Sequence, residues 1–139
     1  MTSNGPTLYP LLPYRDARAA IDWLERAFGF ERMAVYPEDG GPVAHAELAF
    51  GTGVLMLATL DDIDAEHGKP RYNAPYVYVA DPDAHYERAV AAGAQITREL
   101  EDTDYGSRQY CARDLEDNEW SFGTYRPLPA ANRAGPVPE

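Results

Sequence analysis

Several features that mark common protein classes are missing from this 139-residue sequence. Its single cysteine, Cys111, excludes an intramolecular disulfide and the Cys-x-x-Cys patterns of zinc and redox sites. No apolar run approaches the ~18 residues of a membrane span, and residues 1–6 lack the basic and apolar regions of a signal peptide. These absences predict a cytoplasmic protein with no membrane partner.

Basic residues are also scarce. Lys and Arg number 12 against 23 Asp and Glu, which gives a net charge of −11. This balance argues against a nucleic-acid partner, because binding phosphates requires clustered Lys and Arg. An acidic surface attracts cations and keeps a protein soluble. The apolar content of 45%, with ten tyrosines, is sufficient for a packed core.

The order of predicted elements, β-α-β-β-β, occurs twice at an offset of roughly 65 residues. In each copy an aspartate that can cap a helix, Asp16 or Asp81, precedes an apolar stripe at helical spacing. A glycine that can end the helix, Gly29 or Gly93, follows the stripe. The predicted strands are residues 8–14, 30–36, 43–50, 54–59, 74–80, 95–98, 107–113 and 119–125.

We therefore expect one α+β domain over residues 1–126. Module one covers about 7–60 and module two about 74–126, and neither is large enough to bury a stable core alone. Paired βαβββ modules should form a curved mixed sheet with the helices on its convex side. Residues 61–73 form a polar linker, the acidic residues 99–104 a solvated loop, and the proline-rich residues 127–139 a flexible tail.

Four stretches together resemble one known superfamily. They are residues 13–30, residues 45–48 with 54–57, residues 77–83 with 91–94, and residues 113–121. This pattern resembles the vicinal oxygen chelate superfamily, which contains glyoxalase I, extradiol dioxygenases and bleomycin-resistance proteins, and most resembles its PhnB-like branch. The resemblance covers about residues 7–126 and implies paired βαβββ modules and a homodimer. It does not imply one reaction, since one fold hosts many functions.

The resemblance also indicates where a metal would be bound. Metal-dependent members carry His and Glu ligands on the first and last strands of each module. Those positions fall here at Tyr9, Met56, Tyr76 and Ser121, and none of these is a usual ligand of a divalent metal. The sequence therefore predicts no metal and no other cofactor, and it argues against glyoxalase activity.

One pair of residues keeps a catalytic alternative open. His45 and Glu47 lie two apart on a predicted strand, so both side chains point to the same, concave face. They could ligate a metal, although a stable site needs at least three ligands and neither His67 in the linker nor His85, expected to be solvated, supplies the third. Alternatively, Glu47 orients His45 as a general acid or base, or the two form a hydrogen-bonded pair in a pocket.

Alternation along the strands predicts an aromatic, partly polar concave wall. Its members are Tyr9, Leu11, His45, Glu47, Val54, Met56, Tyr76, Tyr78, Ser121 and Gly123. Such a wall suits a planar or amphipathic organic ligand, and tyrosine faces beside a carboxylate favour a cationic group. The alternative is that these tyrosines fill the core and leave their hydroxyls at the rim.

Two further candidates lie on the strand that repeats residues 43–50. When the two modules are aligned, Tyr110 corresponds to His45. Arg108 either holds an anionic group of a ligand or forms a surface ion pair. Cys111, beside them, is expected to be a small buried residue.

The residues thus favour a metal-independent protein that binds a small aromatic or cationic molecule. One version of this function is the sequestration of an antibiotic. The binding cleft would lie between modules or between subunits. The alternative is a lyase, isomerase or dioxygenase that uses His45 and Glu47, with or without a divalent metal. A third hypothesis is a scaffold whose cleft is filled by its own side chains.

Overall fold

The computed structural model describes residue 6 and residues 8–59 and 73–128. Most of the predicted linker, the tail beyond residue 128, and His67 lie outside these ranges. The division of the chain at residue 126 stays a prediction.

Both helices begin as their capping residues predict. Helix α1 spans Ala17–Phe28 and helix α2 spans Pro82–Ala91. The carboxylates of Asp16 and Asp81 each accept a hydrogen bond from the backbone N–H three residues on, at 3.1 Å in both cases. Gly29 ends α1 in the left-handed conformation, with φ of 84°. Within the described residues, neither helix is long and apolar enough to cross a membrane.

The eight strands form two mixed sheets, one from each module. The first contains β1 (Leu11–Tyr14), β2 (Glu31–Tyr36), β3 (His45–Phe50) and β4 (Gly53–Thr59) in the order β1-β4-β3-β2. The second contains β5 (Tyr76–Tyr78), β6 (Gln95–Asp102), β7 (Arg108–Arg113) and β8 (Glu119–Gly123) in the order β5-β8-β7-β6.

In each sheet the first strand runs parallel to the last and the other neighbours are antiparallel. This confirms the predicted α+β fold with paired βαβββ modules. Each module forms a four-stranded sheet of its own. Residues 99–102 belong to β6 and not to a loop, because Glu101 and Asp102 pair with β7, although most of the four are exposed.

The two sheets share one core through their helix-covered faces. Phe28, at the end of α1, packs against rings of the second sheet, with centroids 5.6 Å from Trp120 and 4.7 Å from Phe122. Leu48 and Leu57 of the first sheet belong to the same buried cluster. Because both covered faces meet this core, the two uncovered faces lie on the outside of the chain and do not face each other.

Hydrogen bonds fix the modules at both ends of α1. At its start, the turn after β7 contributes Asp114, which is 4% exposed and accepts from the Tyr14 hydroxyl at 2.7 Å and the Trp120 indole at 3.0 Å. At its end, Arg88 of α2 donates to the carbonyls of Glu25 and Arg26 at 2.9 and 3.2 Å. The Arg88 contacts position α2 against α1, and a cleft remains between the modules.

Candidate functional site

The cleft, here called the intermodular cavity, has a volume of about 810 Å³. It lies between the β3–β4 hairpin of module one and, in module two, β5 and the start of α2. Its apolar walls include Phe30, Phe50, Leu55, Val77, Val79 and Trp120. A concave, largely apolar surface of this size is typical of small-molecule sites.

A few polar side chains also line the intermodular cavity. They include Tyr76, Tyr78, Asp81, His85, Arg88 and Arg126. The Arg126 guanidinium lies 4.3 Å from the centre of the Tyr78 ring, so a cation of the chain itself already takes that ring face. This arrangement weakens the expectation that Tyr78 recognises a cationic ligand.

Tyr76 is held at the edge of the cavity by its hydroxyl. The hydroxyl donates to the backbone oxygen of Tyr125 at 2.6 Å, and burial raises its pKa above the ordinary value. A Cβ at Gly123 would lie only 2.9 Å from this hydroxyl, so the absence of a side chain there lets Tyr76 cross β8. The residue is 39% exposed and therefore accessible to a ligand.

His85 is partly buried, which corrects the expectation that it is solvated. Its Nε2 lies 2.8 Å from the Phe28 carbonyl, which can only accept, so Nε2 carries the proton and Nδ1 accepts from the Tyr110 hydroxyl at 2.6 Å. Burial lowers its pKa, despite the opposing effect of the bond to Phe28. His85 also packs 4.2 Å from the Phe122 ring. A neutral imidazole therefore forms part of the cavity wall.

The predicted pair of His45 and Glu47 lies elsewhere, on the uncovered face of the first sheet. The His45 Nε2 and Glu47 Oε2 atoms are 2.9 Å apart, and the two side chains are 39% and 36% exposed. The Tyr36 ring stacks on His45 with centroids 6.4 Å apart. Met56 pairs with Glu47 across β3 and β4. Carboxylate and imidazole can together accept or deliver a proton.

The donor groups in the described residues do not fit a divalent metal. No group of three or more His, Cys, Asp and Glu residues comes together there. Cys111 is buried and its sulfur lies 3.2 Å from the Ser121 hydroxyl, with neither a histidine nor a carboxylate completing a site. The aromatic and thioether groups at Tyr76 and Met56 are poor ligands for such an ion.

Strand register corrects the correspondence between the modules. Leu11 pairs with Met56 and Tyr76 with Ser121, so the counterpart of Tyr76 is Leu11 and not Tyr9. Tyr9 itself is 44% exposed and does not line the intermodular cavity. The segment contains prolines, and its alternation does not show where pairing begins. A shift of two residues keeps the position on the same face of a strand, so alternation alone does not detect it.

Tyr110 needs a correction of one residue, which reverses the face of the sheet. Since Glu47 pairs with Met56 and Cys111 with Ser121, Cys111 corresponds to Glu47, and Gln109 rather than Tyr110 corresponds to His45. Tyr110 is 1% exposed on the helix-covered face, where its hydroxyl meets His85.

Arg108 forms surface ion pairs, one of the two alternatives left open for it. Its guanidinium contacts Asp83 at 2.7 Å and Asp102 at 3.2 Å. The predicted site residues are thus divided between surfaces: Tyr76 and Tyr78 line the intermodular cavity, while His45, Glu47 and Met56 lie on the uncovered face of the first sheet. His85 and the rest of the cavity wall were not predicted.

Comparison with known proteins identifies the family. The family model described as the Glyoxalase/Bleomycin resistance protein/Dioxygenase superfamily matches residues 8–122. The chain belongs to this superfamily. An uncharacterized protein of Mycobacterium tuberculosis, Rv0887c, is 31% identical over 127 residues, which cover 85% of this chain and 74% of the relative. The PhnB-like branch stays a prediction.

Solved structures share the fold. TioX from Micromonospora sp. ML1 is 35% identical, with a TM-score of 0.74 over 86% of this chain and 98% of that one. The bleomycin-binding protein from bleomycin-producing Streptomyces verticillus, solved with copper(II)-bleomycin, is 21% identical, with a TM-score of 0.59 over 88% of this chain and 96% of that one. The second likeness is one of fold alone.

Proposed function

We propose that the protein binds a small aromatic molecule without a metal and sequesters it rather than transforming it. The observation that carries this proposal is the intermodular cavity of about 810 Å³, with its aromatic and aliphatic walls. A flat ring placed between Phe50 and Val79 would remove apolar surface from water on both of its faces. Burial of each square ångström of apolar surface contributes about 25 cal/mol to the free energy of binding.

Antibiotic sequestration is the form of this function that the comparisons support. A protein of the same fold, from Streptomyces verticillus, binds bleomycin and was solved with copper(II)-bleomycin. Sequestration requires a site that holds its ligand but no residues that react with it. The satisfied hydrogen bonds of His85 fit that requirement, because both ring nitrogens are already engaged within the chain.

The pair of His45 and Glu47 supports a second candidate, which is a lyase, isomerase or dioxygenase of the superfamily. The 2.9 Å contact orients the imidazole in the way that a general base requires. A substrate would have to bind on the uncovered face of the first sheet. His45→Gln should then abolish turnover of that substrate while leaving ligand binding in the intermodular cavity unchanged.

The proposal includes a cytoplasmic homodimer. Large apolar side chains flank the His45 and Glu47 pair on the uncovered face, with Leu11 55% and Tyr36 53% exposed. A second copy of the chain would cover them, and the pair would then lie in a cleft between subunits. The reducing cytoplasm suits a chain whose single cysteine, Cys111, is a free thiol.

The test is a calorimetric titration with 2-naphthylmethanol, a neutral two-ring probe, in the presence of EDTA. Ala84 lines the cavity on the first turn of α2, so Ala84→Trp should fill it and weaken binding about tenfold or more. Ala91→Trp is the matched control, because Ala91 is exposed at the end of the same helix and does not line the cavity.

A third variant, Met56→Trp, distinguishes the two surfaces, because Met56 lies on the uncovered face beside Glu47. Loss of binding in Met56→Trp with full binding in Ala84→Trp would move the ligand to the uncovered face. Binding that requires added metal would contradict the proposal directly.

A further inference from the structure

The internal repeat gives the intermodular cavity an equivalent place elsewhere in the chain. The cavity lies between the β3–β4 turn and the start of α2, here called the cavity end. Its counterpart, here called the filled end, lies between the β7–β8 turn and the start of α1. Leu11 with Met56 and Tyr76 with Ser121 are equivalent parallel pairs. The helix caps Asp16 and Asp81 each follow five residues after the first member of the pair. Each position from β1 to the start of α1 therefore has an equivalent in module two.

At the filled end, the chain occupies the space with its own side chains. The Glu116 carboxylate accepts from the backbone N–H groups of Arg15 and Asp16 at 2.8 and 2.9 Å, where α1 begins. Tyr14 and Trp120, 0% and 1% exposed, both donate to Asp114 of the same turn, and Trp120 also reaches the wall of the intermodular cavity. The filled end is thus occupied by a carboxylate, which two N–H groups bind, and by two aromatic side chains.

At the cavity end, the equivalent groups are small or missing. Val79 takes the place of Tyr14, and Leu55 takes that of Trp120. Between the equivalent strand pairs, residues 50–53 number four against the five of residues 114–118, and they contain no carboxylate. The backbone N–H groups of Ala80 and Asp81 are the equivalents of the pair that binds Glu116. Among the described residues neither donates a hydrogen bond, and both residues line the cavity.

The charge of the lining is unusual for this protein. The charged side chains that line the cavity are Asp81, Arg88 and Arg126, two cations and one anion, in a chain of net charge −11. The Asp81 carboxylate is occupied in capping Ala84, as that of Asp16 is at the filled end. Since Glu116 binds directly beside Asp16, a capping aspartate does not exclude a second carboxylate.

We propose that the intermodular cavity binds an aromatic carboxylate. The acid group would accept from the N–H groups of Ala80 and Asp81, as Glu116 accepts at the filled end, and the ring would occupy the space beside Leu55 and Val79. The start of α2 favours an anion there through its dipole and its unpaired donors. This inference rests on the proposed function and names the chemical class of its ligand.

Three probes with one ring system test the inference: 2-naphthoate, neutral 2-naphthylmethanol and cationic 2-naphthylmethylammonium. Calorimetry with EDTA present should give 2-naphthoate about tenfold or more tighter binding than either of the others, because only it can accept from both N–H groups. In ¹⁵N spectra the Ala80 and Asp81 amide signals should shift on binding. Those of Arg15 and Asp16, which already bind Glu116, should not.

A variant that supplies the missing carboxylate gives the second arm. Thr52→Glu places an acid in the short turn beside the start of α2, so it should weaken binding of 2-naphthoate about tenfold or more. Thr52→Gln, of the same size and without charge, is the matched control and should retain binding.

The outcomes separate the two proposals. Equal affinity for the three probes, or undiminished 2-naphthoate binding in Thr52→Glu, would overturn the carboxylate inference and leave an aromatic-binding cavity. Failure of every probe to bind would overturn the inference and remove the support for the proposed function as well.

Discussion

Tyr76 is the predicted site residue whose position bears most directly on binding. Tyr76 is among the residues that line the intermodular cavity, and its hydroxyl is held by the Tyr125 carbonyl. Tyr76→Ala should weaken binding of an aromatic probe by about 1 kcal/mol, roughly fivefold, because a ring contact is lost. The fold should persist, since the residue is 39% exposed. Calorimetry measures the first effect and urea unfolding the second.

Tyr105→Ala is the control for this substitution. Tyr105 is also a hydrogen-bonded surface tyrosine, but it is 61% exposed and does not line the cavity. Unchanged affinity in Tyr76→Ala, or an equal loss in both variants, would remove Tyr76 from the site.

His85 predicts a pH dependence of stability. Its pKa is lowered from 6.5 in the folded chain, chiefly by burial, so the unfolded chain binds the proton first as the pH falls. Its contribution to stability is therefore complete above the unfolded pKa of 6.5 and is lost as the pH falls toward the folded value. The free energy of unfolding should drop more on acidification in the wild type than in His85→Gln, measured by urea unfolding. A folded-state pKa above 6.5 in an NMR titration would contradict this.

Some residue positions could be predicted and others could not. The capping roles of Asp16 and Asp81 depend only on neighbours three residues away, and both were predicted. The burial of His85 had a local signal, because Pro82, His85 and Ala89 follow helical spacing, and Pro82 and Ala89 are buried. Its two partners, however, come from distant parts of the chain, which no local pattern indicates.

At the scale of elements, strand pairing overrode local composition in β6. The acidic residues at its end have low β propensity and were expected to form a loop. Glu101 pairs with Gln109 and Asp102 with Arg108, and Arg108 also forms an ion pair with Asp102. Backbone pairing with β7 therefore extends the strand, and an acidic run alone cannot predict this.

The contact between the helices also gives a prediction. Arg88 of α2 donates to the carbonyls of Glu25 and Arg26 on α1, so it links the modules. Arg88→Met should lower the free energy of unfolding by about 1–3 kcal/mol, because two hydrogen bonds from a charged donor are lost. Urea unfolding monitored by circular dichroism measures this change.

Arg98→Met is the matched control. Arg98 forms an exposed ion pair with Glu101 at 3.7 Å, which should contribute less than about 1 kcal/mol. If the two variants lose equal stability, the helices are not held together by Arg88.

At the scale of the whole molecule, the uncovered sheet faces predict self-association. The Leu11 and Tyr36 side chains are more than half exposed on the face that carries His45 and Glu47. Burying them against a second copy would give sedimentation of a dimer at micromolar concentration. Leu11→Glu should shift the protein to monomer, because a dimer would have to bury the new charge. A clean monomer of the wild type would argue against a cleft between subunits.

The fold could be predicted at this scale but the intermodular cavity could not. Paired modules follow from the repeated caps and strands, which are local signals. The cavity depends on small side chains at two places, since Val79 of module two is the equivalent of Tyr14 and Leu55 of module one is the equivalent of Trp120. Because these two residues come from different modules, they indicate a void only when the register of both sheets is known.

The measurement that tests the central claim most directly is a crystal structure, with 2-naphthoate bound, of the protein purified without a chelator. The account predicts the ring in the intermodular cavity, beside Leu55 and Val79, with no metal ion contacting it. A ring on the uncovered face beside His45 and Glu47, or one held through a metal, would contradict the account.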